Sequence, residues 1–178
     1  SEVYIATNYM ADYLEAMVAQ GDKYNVRIIV SREQESLGTC GPLSLLRQEL
    51  QDPFFVMNGD ILTNLDFSVL GEFALQRQAD LTVVTKEIQI PFRFGRVLAD
   101  GDYIVEVEEK PDYRQEILAG IYAMRPAALD LVPDNTYYGI DSLIKDMLAG
   151  GRPVAKYLTR AYWTDIGQLE DYEIAKQE

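Results

Sequence analysis

The sequence of 178 residues contains no histidine. Ser-His-Asp and Cys-His mechanisms need an imidazole base, and the usual zinc sites use imidazole ligands, so hydrolases of those types are disfavoured. Cys40 is the single cysteine, which excludes an intrachain disulfide and favours a cytoplasmic location. Because Cys40 lies in a turn of small residues, close packing explains it better than nucleophilic catalysis.

Basic residues are scarce: 16 lysines and arginines stand against 29 acidic residues, and the net charge is -13. Such a charge repels nucleic-acid backbones and anionic membranes, so neither is expected as a partner. The sequence also lacks an apolar run of the roughly 20 residues that a membrane span needs, and its start does not look like a secretory signal. An anionic substrate would therefore need a local exception, built from metal ions and a few placed basic side chains.

The order of predicted elements indicates one α/β domain over residues 1–178. With 48% hydrophobic residues, such a chain can bury a substantial core. Asn8 and Asp66 are predicted helix caps, and Gly101 is predicted to turn a hairpin. Strands are predicted at 3–7, 26–30, 54–57, 81–85, 95–98, 103–109, 120–124 and 154–158, and helices at 8–19, 42–49, 66–77, 140–149 and 169–176. This alternation predicts a mixed, mostly parallel sheet with helices on both faces.

Two carboxylates each follow an apolar run that reads as a strand. Phe54 to Met57 leads through Asn-Gly into Asp60, and Trp163 leads through Thr164 into Asp165. Open α/β sheets bind ligands outside the carboxyl ends of their strands, so the two acids are candidate ligands for one divalent cation on a phosphate. Alternatively, Asp60 belongs to an ordinary turn, and Asp165 caps the helix predicted at 169–176.

Five short motifs occur in order along the chain. They are Leu-Gly-Thr-x-Gly-x-Leu from Leu37 to Leu43, Asn58-Gly59-Asp60, Glu109-Lys110-Pro111, Ala119-Gly120-Ile121-Tyr122 and Trp163-Thr164-Asp165-Ile166-Gly167. Together they resemble the sugar-phosphate nucleotidyltransferase family, particularly its mannose-1-phosphate guanylyltransferase and glucose-1-phosphate thymidylyl- or uridylyltransferase branch. The resemblance covers essentially the whole chain. It implies a Rossmann-like, glycosyltransferase-A-like sheet and transfer of a nucleotidyl group from an NTP to a sugar 1-phosphate, with release of pyrophosphate.

The same resemblance implies roles for charged residues. Asp60 and Asp165 would chelate Mg²⁺ that bridges the nucleotide and sugar phosphates. Lys110 matches the lysine that binds the sugar phosphate, and Glu109 matches the acid that accepts hydrogen bonds from sugar hydroxyls. In-line attack at the α-phosphorus depends on alignment and charge neutralisation more than on proton transfer, so the missing histidine is no obstacle.

Glycines complete the substrate-binding set that the resemblance implies. Gly38 matches the glycine that lets the nucleobase approach the backbone, Gly95 matches the one beside the sugar ring, and Gly120 lies in the fourth motif. Glycine suits such positions because it has no Cβ, although Gly95 is equally well an ordinary turn glycine. Glu33 and Gln34, just before the Gly38 loop, are candidates for reading a base edge, or are simply solvated.

Glu109 and Lys110 are adjacent, which raises a geometric question. Consecutive residues of a strand face opposite ways, so both side chains reach one ligand only where the backbone bends. Pro111 favours such a bend. The alternative is a surface ion pair before a turn.

Two features depart from the family's pattern. Its usual glycine-rich Gly-Gly-x-Gly-x-Arg-Leu loop and following Pro-Lys-Pro, which hold the triphosphate, do not occur in these residues. Since Val3 to Thr7 matches the family's second strand, we expect a fragment that lacks the first strand and helix and has two unpaired edges inside its sheet. Leu118 stands where many relatives carry a polar residue, often Asn, that contacts the sugar. Phe92-Arg93-Phe94 is an alternative wall for that sugar.

The leading function is therefore an enzyme that makes an NDP-sugar from an NTP and a sugar 1-phosphate with Mg²⁺. A noncatalytic nucleotidyltransferase-like domain with a regulatory or binding role is the alternative. A glycosyltransferase of similar fold is weaker, because it would use an Asp-x-Asp motif and Asn58-Gly59-Asp60 supplies one acid. The base, the sugar and the oligomeric state, a homo-oligomer included, stay open.

Overall fold

A computed structural model describes residues 2–18, 25–51 and 53–176. Its helices and strands in chain order are β1 (Glu2–Thr7), α1 (Ala11–Val18), β2 (Arg27–Arg32), β3 (Phe54–Met57), β4 (Ile61–Thr63), α2 (Phe67–Arg77), β5 (Leu81–Pro91), β6 (Arg96–Asp100), β7 (Tyr103–Glu108), β8 (Asp112–Met124), α3 (Ile140–Ala149), β9 (Val154–Thr159), β10 (Trp163–Asp165) and α4 (Leu169–Ala175). Within the described residues, 3-10 helices cover Gly41–Leu46 and Pro126–Leu131. The predicted α/β class is confirmed.

The strands in the described part of the chain form four groups. β1 and β2 pair in parallel, whereas β4 with β10 and β6 with β7 pair antiparallel. The largest sheet has the strand order β3-β8-β5-β9. The arrangement is thus mixed, and β1–β2 forms a two-stranded sheet of its own.

The predicted helix cap at Asp66 and the predicted turn at Gly101 are both confirmed. Asp66 caps α2, since its Oδ1 accepts the backbone N–H of Ser68 at 2.8 Å. Gly101 turns the β6–β7 hairpin with a φ of +57°, a left-handed conformation that glycine adopts at little cost.

Two predicted helix features are wrong. Asn8 does not cap α1, because the helix begins at Ala11 and Asn8 Nδ2 donates to the carbonyl of Glu33 at 3.1 Å instead. Its predicted end at residue 19 lies outside the described residues. The α-helix predicted at 42–49 is a 3-10 helix, in which the Ser44 hydroxyl donates to the Gly41 carbonyl at 2.7 Å.

The chain forms two compact units. The first unit comprises Ser1–Val56, Ala74–Thr82 and Ala123–Ala155, and the second comprises Met57–Phe73, Val83–Tyr122 and Lys156–Glu178. In the first unit, α3 buries Ile140, Leu143 and Met147, whose spacing puts them on one helix face. In the second unit the core includes Leu70 of α2, Val84 of β5 and Ile121 of β8, which are fully buried. Among the described residues, no helix is long and apolar enough to cross a membrane.

Candidate active site

The pairing of β4 with β10 brings the two predicted metal ligands together in the second unit. Asp60 lies in the turn just before β4, and Asp165 is the last residue of β10, where it stands opposite Ile61. The backbone N–H of Ile166 donates to the carbonyl of Asp60 at 2.8 Å. Two acids that are far apart in sequence therefore become neighbours at one end of a short antiparallel ladder.

Gly167 lies between the two carboxylates. A Cβ built on Gly167 would be 3.0 Å from Asp165 Oδ1 and 3.3 Å from Asp60 Oδ2. The distance between the two carboxylate oxygens therefore cannot exceed the sum of these two values. The backbone N–H of Gly167 donates to Asp165 Oδ1 at 2.8 Å. The missing side chain of Gly167 thus leaves room for an ion beside both acids.

This arrangement suits Mg²⁺. Among residues 2–18, 25–51 and 53–176 there is no cluster of three or more His, Cys, Asp or Glu side chains that could hold a metal. Mg²⁺ does not need one, since proteins commonly bind it through one or two carboxylates while waters and substrate phosphates complete its octahedron. The oxygen ligands of Asp60 and Asp165 and the space at Gly167 therefore fit the predicted ion.

Asp165 does not cap the helix that follows it. Its carboxylate accepts the N–H of Gly167, whereas α4 starts at Leu169 and its first turn is closed by the bond from Tyr172 N to Gln168 O. The helix-cap alternative is wrong in this respect. Asp60 does lie in a turn, as its own alternative proposed, and a turn position is compatible with metal binding.

Gly120 packs against the turn that carries Asp60. It has a φ of +68°, and a Cβ at this position would lie 3.0 Å from Asn58 Nδ2 and 3.2 Å from Ile61 Cγ1. Its carbonyl accepts the N–H of Asn58 at 2.9 Å. Gly120 therefore makes room for the Asn-Gly-Asp turn, and its direct contact with substrate stays a prediction.

Three residues that sequence reasoning did not assign to the site help to build it: Gly167, Asn58 and Trp163. The indole Nε1 of Trp163 donates to the carbonyl of Ala119 at 2.7 Å, which ties β10 to β8. All three lie inside motifs that the sequence shows. The motifs were therefore the available signal, but the supporting roles depend on contacts that sequence spacing does not reveal.

The residues predicted to bind the sugar phosphate also come together. Lys110 has a φ of +46° between the end of β7 and the start of β8, so the predicted backbone bend is present. Glu109 Oε2 lies 3.3 Å from the Cβ position of Gly95, and Glu109 Oε1 lies 3.8 Å from Lys110 Nζ. This cluster is consistent with the predicted sugar site, and it also contains the exposed ion pair that the alternative interpretation proposed.

Gly38 lies in the first unit, as do the base-edge candidates Glu33 and Gln34. Its φ is +78°, and a Cβ there would be 3.1 Å from the carbonyl oxygen of Tyr138 and 3.2 Å from the ring of Tyr137. The N–H groups of Cys40 and Gly41 donate to the same Tyr138 carbonyl at 3.0 and 2.9 Å. The glycine is required by this close approach of backbone, and its contact with a nucleobase stays a prediction.

The start of α3 holds the Gly38 loop in place. Thr39 Oγ1 accepts the N–H of Ile140 at 2.9 Å, and Tyr138 Oη donates to Asp146 Oδ2 at 2.5 Å. Burial, together with this bond to Asp146, raises the pKa of Tyr138 above its ordinary value. Tyr138 is thus a neutral phenol at physiological pH and a stable donor for the loop.

The profile of the nucleotidyl transferase family matches residues 1–178. The chain belongs to the nucleotidyl transferase family. The predicted resemblance is therefore confirmed at the level of the family.

Individual relatives agree with this assignment. The chain is 33% identical over 180 residues to a mannose-1-phosphate guanylyltransferase catalytic subunit beta of Xenopus tropicalis, covering 97% of the chain and 50% of that protein. It is 31% identical over 179 residues to a mannose-1-phosphate guanyltransferase of Yarrowia lipolytica, covering 96% of the chain and 49% of the relative. The chain thus spans about half the length of these curated relatives.

The fold is also that of solved structures. HddC from Yersinia pseudotuberculosis superposes with a TM-score of 0.75 at 25% identity, covering 99% of this chain and 77% of HddC. A second structure of HddC, complexed with GMP-PN, gives a TM-score of 0.72 at 25% identity and covers 98% of this chain and 76% of that one. These likenesses confirm the predicted Rossmann-like architecture.

Proposed function

We propose that this chain transfers a nucleoside monophosphate from an NTP to a sugar 1-phosphate, giving an NDP-sugar and pyrophosphate. The observation that supports it most is the convergence of Asp60 and Asp165 at Gly167 in a member of the nucleotidyl transferase family. The similarity to proteins named as mannose-1-phosphate guanylyltransferases points to the same reaction.

The chemistry asks little of acid or base groups. A phosphate oxygen of the sugar 1-phosphate attacks the α-phosphorus of the NTP, the bond from that phosphorus to the bridging oxygen breaks, and pyrophosphate leaves with the bonding electrons. The nucleophile is already an anion, so no side chain has to remove a proton. Alignment and charge neutralisation carry the rate, and a chain without histidine can supply both.

Each predicted residue then has one task. Asp60 and Asp165 would hold Mg²⁺, which when bound neutralises phosphate charge. Lys110 holds the phosphate of the sugar 1-phosphate, and its exposed Nζ is free to exchange the 3.8 Å contact with Glu109 for a phosphate oxygen. Glu109 accepts hydrogen bonds from the sugar hydroxyls, and the absent side chain of Gly95 leaves space beside the Glu109 carboxylate.

Guanine is the base that the Gly38 loop supports best. Glu33 lies just before this loop, and its Oε2 accepts the N–H of Leu37 at 2.9 Å, which fixes the carboxylate in place. An ionised carboxylate only accepts hydrogen bonds, and each of its oxygens can accept more than one. Guanine carries adjacent N1–H and N2–H donors on its pairing edge, whereas the uracil and thymine edges carry a single donor. The similarity to guanylyltransferases and to HddC, which has been solved in complex with GMP-PN, agrees with guanine.

The test is pyrophosphate release by the natural full-length protein. ATP, CTP, GTP, UTP and dTTP are each paired with mannose, glucose, galactose, 6-deoxyglucose and N-acetylglucosamine 1-phosphates, with Mg²⁺ and with EDTA in its place. We expect Mg²⁺-dependent release with GTP and at least one sugar 1-phosphate. Nucleotide binding by calorimetry without pyrophosphate release from any pair would overturn the enzyme and favour a noncatalytic binding domain.

A further inference from the structure

Three aromatic side chains of the second unit form a cluster at the surface, which we call the aromatic corner: Phe92, Phe94 and Tyr113. The ring of Phe92 lies edge-on to both others, with centroids 6.0 Å from Phe94 and 6.1 Å from Tyr113 and interplanar angles of 75°. Phe94 is 72% exposed and Phe92 is 42% exposed. Edge-to-face packing fixes the rings, yet most of the Phe94 surface remains in contact with water.

The aromatic corner is attached to the turn that carries Glu109 and Lys110. The backbone N–H of Phe92 donates to the carbonyl of Pro111 at 3.1 Å. Phe94 directly precedes Gly95, whose Cβ position is 3.3 Å from Glu109 Oε2. The exposed rings therefore belong to the segment that leads into Gly95, and that segment is bonded to the turn that carries Glu109 and Lys110.

This combination matches the two kinds of surface that a pyranose presents. Its hydroxyls lie around the edge and hydrogen-bond to a carboxylate, while its axial C–H groups form an apolar face that packs on an aromatic ring. Core packing does not explain the corner, because a ring that remains 72% exposed gains little from burial. A bound sugar would cover it.

The angle between the rings narrows the choice of sugar. A flat pyranose face can stack on one ring only, and a second ring at 75° then stands as a wall beside whatever projects from the sugar. Apart from the Tyr113 hydroxyl, the side chains of the corner carry no hydrogen-bonding group. A methyl group fits such a wall, whereas a hydroxymethyl group would lose hydrogen bonds to water without replacing them.

We propose that the aromatic corner is the subsite for the sugar face, and that the preferred acceptor is a hexose 1-phosphate that carries a methyl group, as in 6-deoxy or N-acetyl sugars. This inference rests on the proposed function, because it takes Glu109 as the group that meets the sugar hydroxyls. It adds Phe94 as a specificity-determining residue and names a substrate class.

The first experiment is steady-state kinetics of the natural full-length protein with glucose 1-phosphate, 6-deoxyglucose 1-phosphate and N-acetylglucosamine 1-phosphate. We expect kcat/KM to be about fivefold higher for a methyl-bearing sugar, the effect of burying one methyl group. The 6-deoxy and N-acetyl forms show which position carries the methyl. Equal values for all three, or a preference for glucose 1-phosphate, would overturn the methyl assignment.

Variants of Phe94 test the subsite itself. Phe94→Ala should raise KM for the sugar 1-phosphate about tenfold, remove the preference for the methyl group and leave KM for the NTP unchanged. Phe94→Tyr keeps a flat ring and should keep most of the affinity. Tyr103→Ala is the matched control, since Tyr103 is 80% exposed and lies outside the corner. An unchanged KM in Phe94→Ala would show that the corner does not bind sugar. An unchanged KM with a changed gel-filtration elution volume would show that the corner contacts a second copy of the chain instead.

A binding measurement separates this inference from the proposed reaction. Saturation-transfer NMR reports contact between protein protons and the sugar 1-phosphate without turnover. Phe94-dependent saturation of the sugar ring in an inactive protein would support the subsite and overturn the proposed reaction. Turnover that ignores Phe94 would do the reverse, and neither binding nor turnover would overturn both.

Discussion

Asp60 and Asp165 contact the same empty position beside Gly167, because the antiparallel register of β4 and β10 places Asp165 opposite Ile61. The ladder that achieves this is three residues long on each strand. A shift by one residue would turn the Asp165 side chain to the other face of the strand. The candidate metal site therefore depends on one short register, which Trp163 secures through its bond to Ala119.

Asp60→Asn and Asp165→Asn should each lower kcat at least about a thousandfold, because the neutral amide replaces the negative carboxylate that holds Mg²⁺. Both side chains border an open space, so the thermal unfolding midpoint should change little. Pyrophosphate release and calorimetric unfolding check the two effects. Asp102→Asn, in the β6–β7 turn, is the control for loss of one surface charge. Near-normal rates in either site variant would remove that residue from the metal site.

Gly167→Ala tests the space between the carboxylates. The new Cβ would lie 3.0 Å from Asp165 Oδ1, closer than ordinary contact, and would fill the position proposed for the ion. We expect kcat to fall at least about a hundredfold and the Mg²⁺ concentration for half-maximal rate to rise. Gly59→Ala is a close comparison, since among the described residues no atom beyond its two chain neighbours lies within 4 Å of its Cβ position. Equal losses in the two variants would contradict a specific role for Gly167.

Trp163→Phe removes the indole N–H and leaves the Ala119 carbonyl without this donor. Ala119 is fully buried, so the free energy of unfolding should fall by about 1–3 kcal/mol. Because Trp163 is two residues from Asp165 on β10, kcat should fall as well. Urea unfolding and pyrophosphate release provide the two numbers, and Tyr103→Phe serves as a control. A large loss of stability with an unchanged kcat would show that β10 keeps its register without this bond.

Sequence patterns predicted most of the elements because their causes are local. The cap at Asp66, the turn at Gly101 and the apolar spacing along α3 each lie within a few residues. The failures have a different cause. Asn8 was predicted to cap α1, but its side-chain amide donates to the backbone carbonyl of Glu33, which is distant in sequence.

The candidate site shows the same division. Motif order identified Asp60, Asp165, Glu109 and Lys110, and the structure groups them as two pairs. Neither β4 as a separate strand nor its pairing with β10 was predicted, because three-residue strands carry too little pattern to stand out. The role of Gly167 follows from that pairing, so sequence spacing alone does not reveal it.

Cys40 should be inert in the native protein. It is fully buried, and burial raises the pKa of its thiol to about 12. Because the thiol is neutral when folded, its contribution to stability is present below its unfolded pKa of about 8.5 and is lost as pH rises toward about 12. Reaction with Ellman's reagent should be slow in buffer and fast in denaturant. The free energy of unfolding should fall more steeply above about pH 8.5 than in Cys40→Ala. Fast labelling without denaturant would contradict this burial.

Leu118 occupies the position where many relatives carry a polar residue that contacts the sugar. It lies on β8 two residues before Gly120 and is 46% exposed. Leu cannot hydrogen-bond, which agrees with a sugar that presents a methyl group to the aromatic corner. Leu118→Asn should lower KM for glucose or mannose 1-phosphate a few-fold, about the value of one hydrogen bond, and lower kcat/KM for the 6-deoxy form. Leu118→Met keeps an apolar side chain of similar size and should preserve the original preference. If both variants shift the preference equally, packing at Leu118 and not hydrogen bonding governs the choice of sugar.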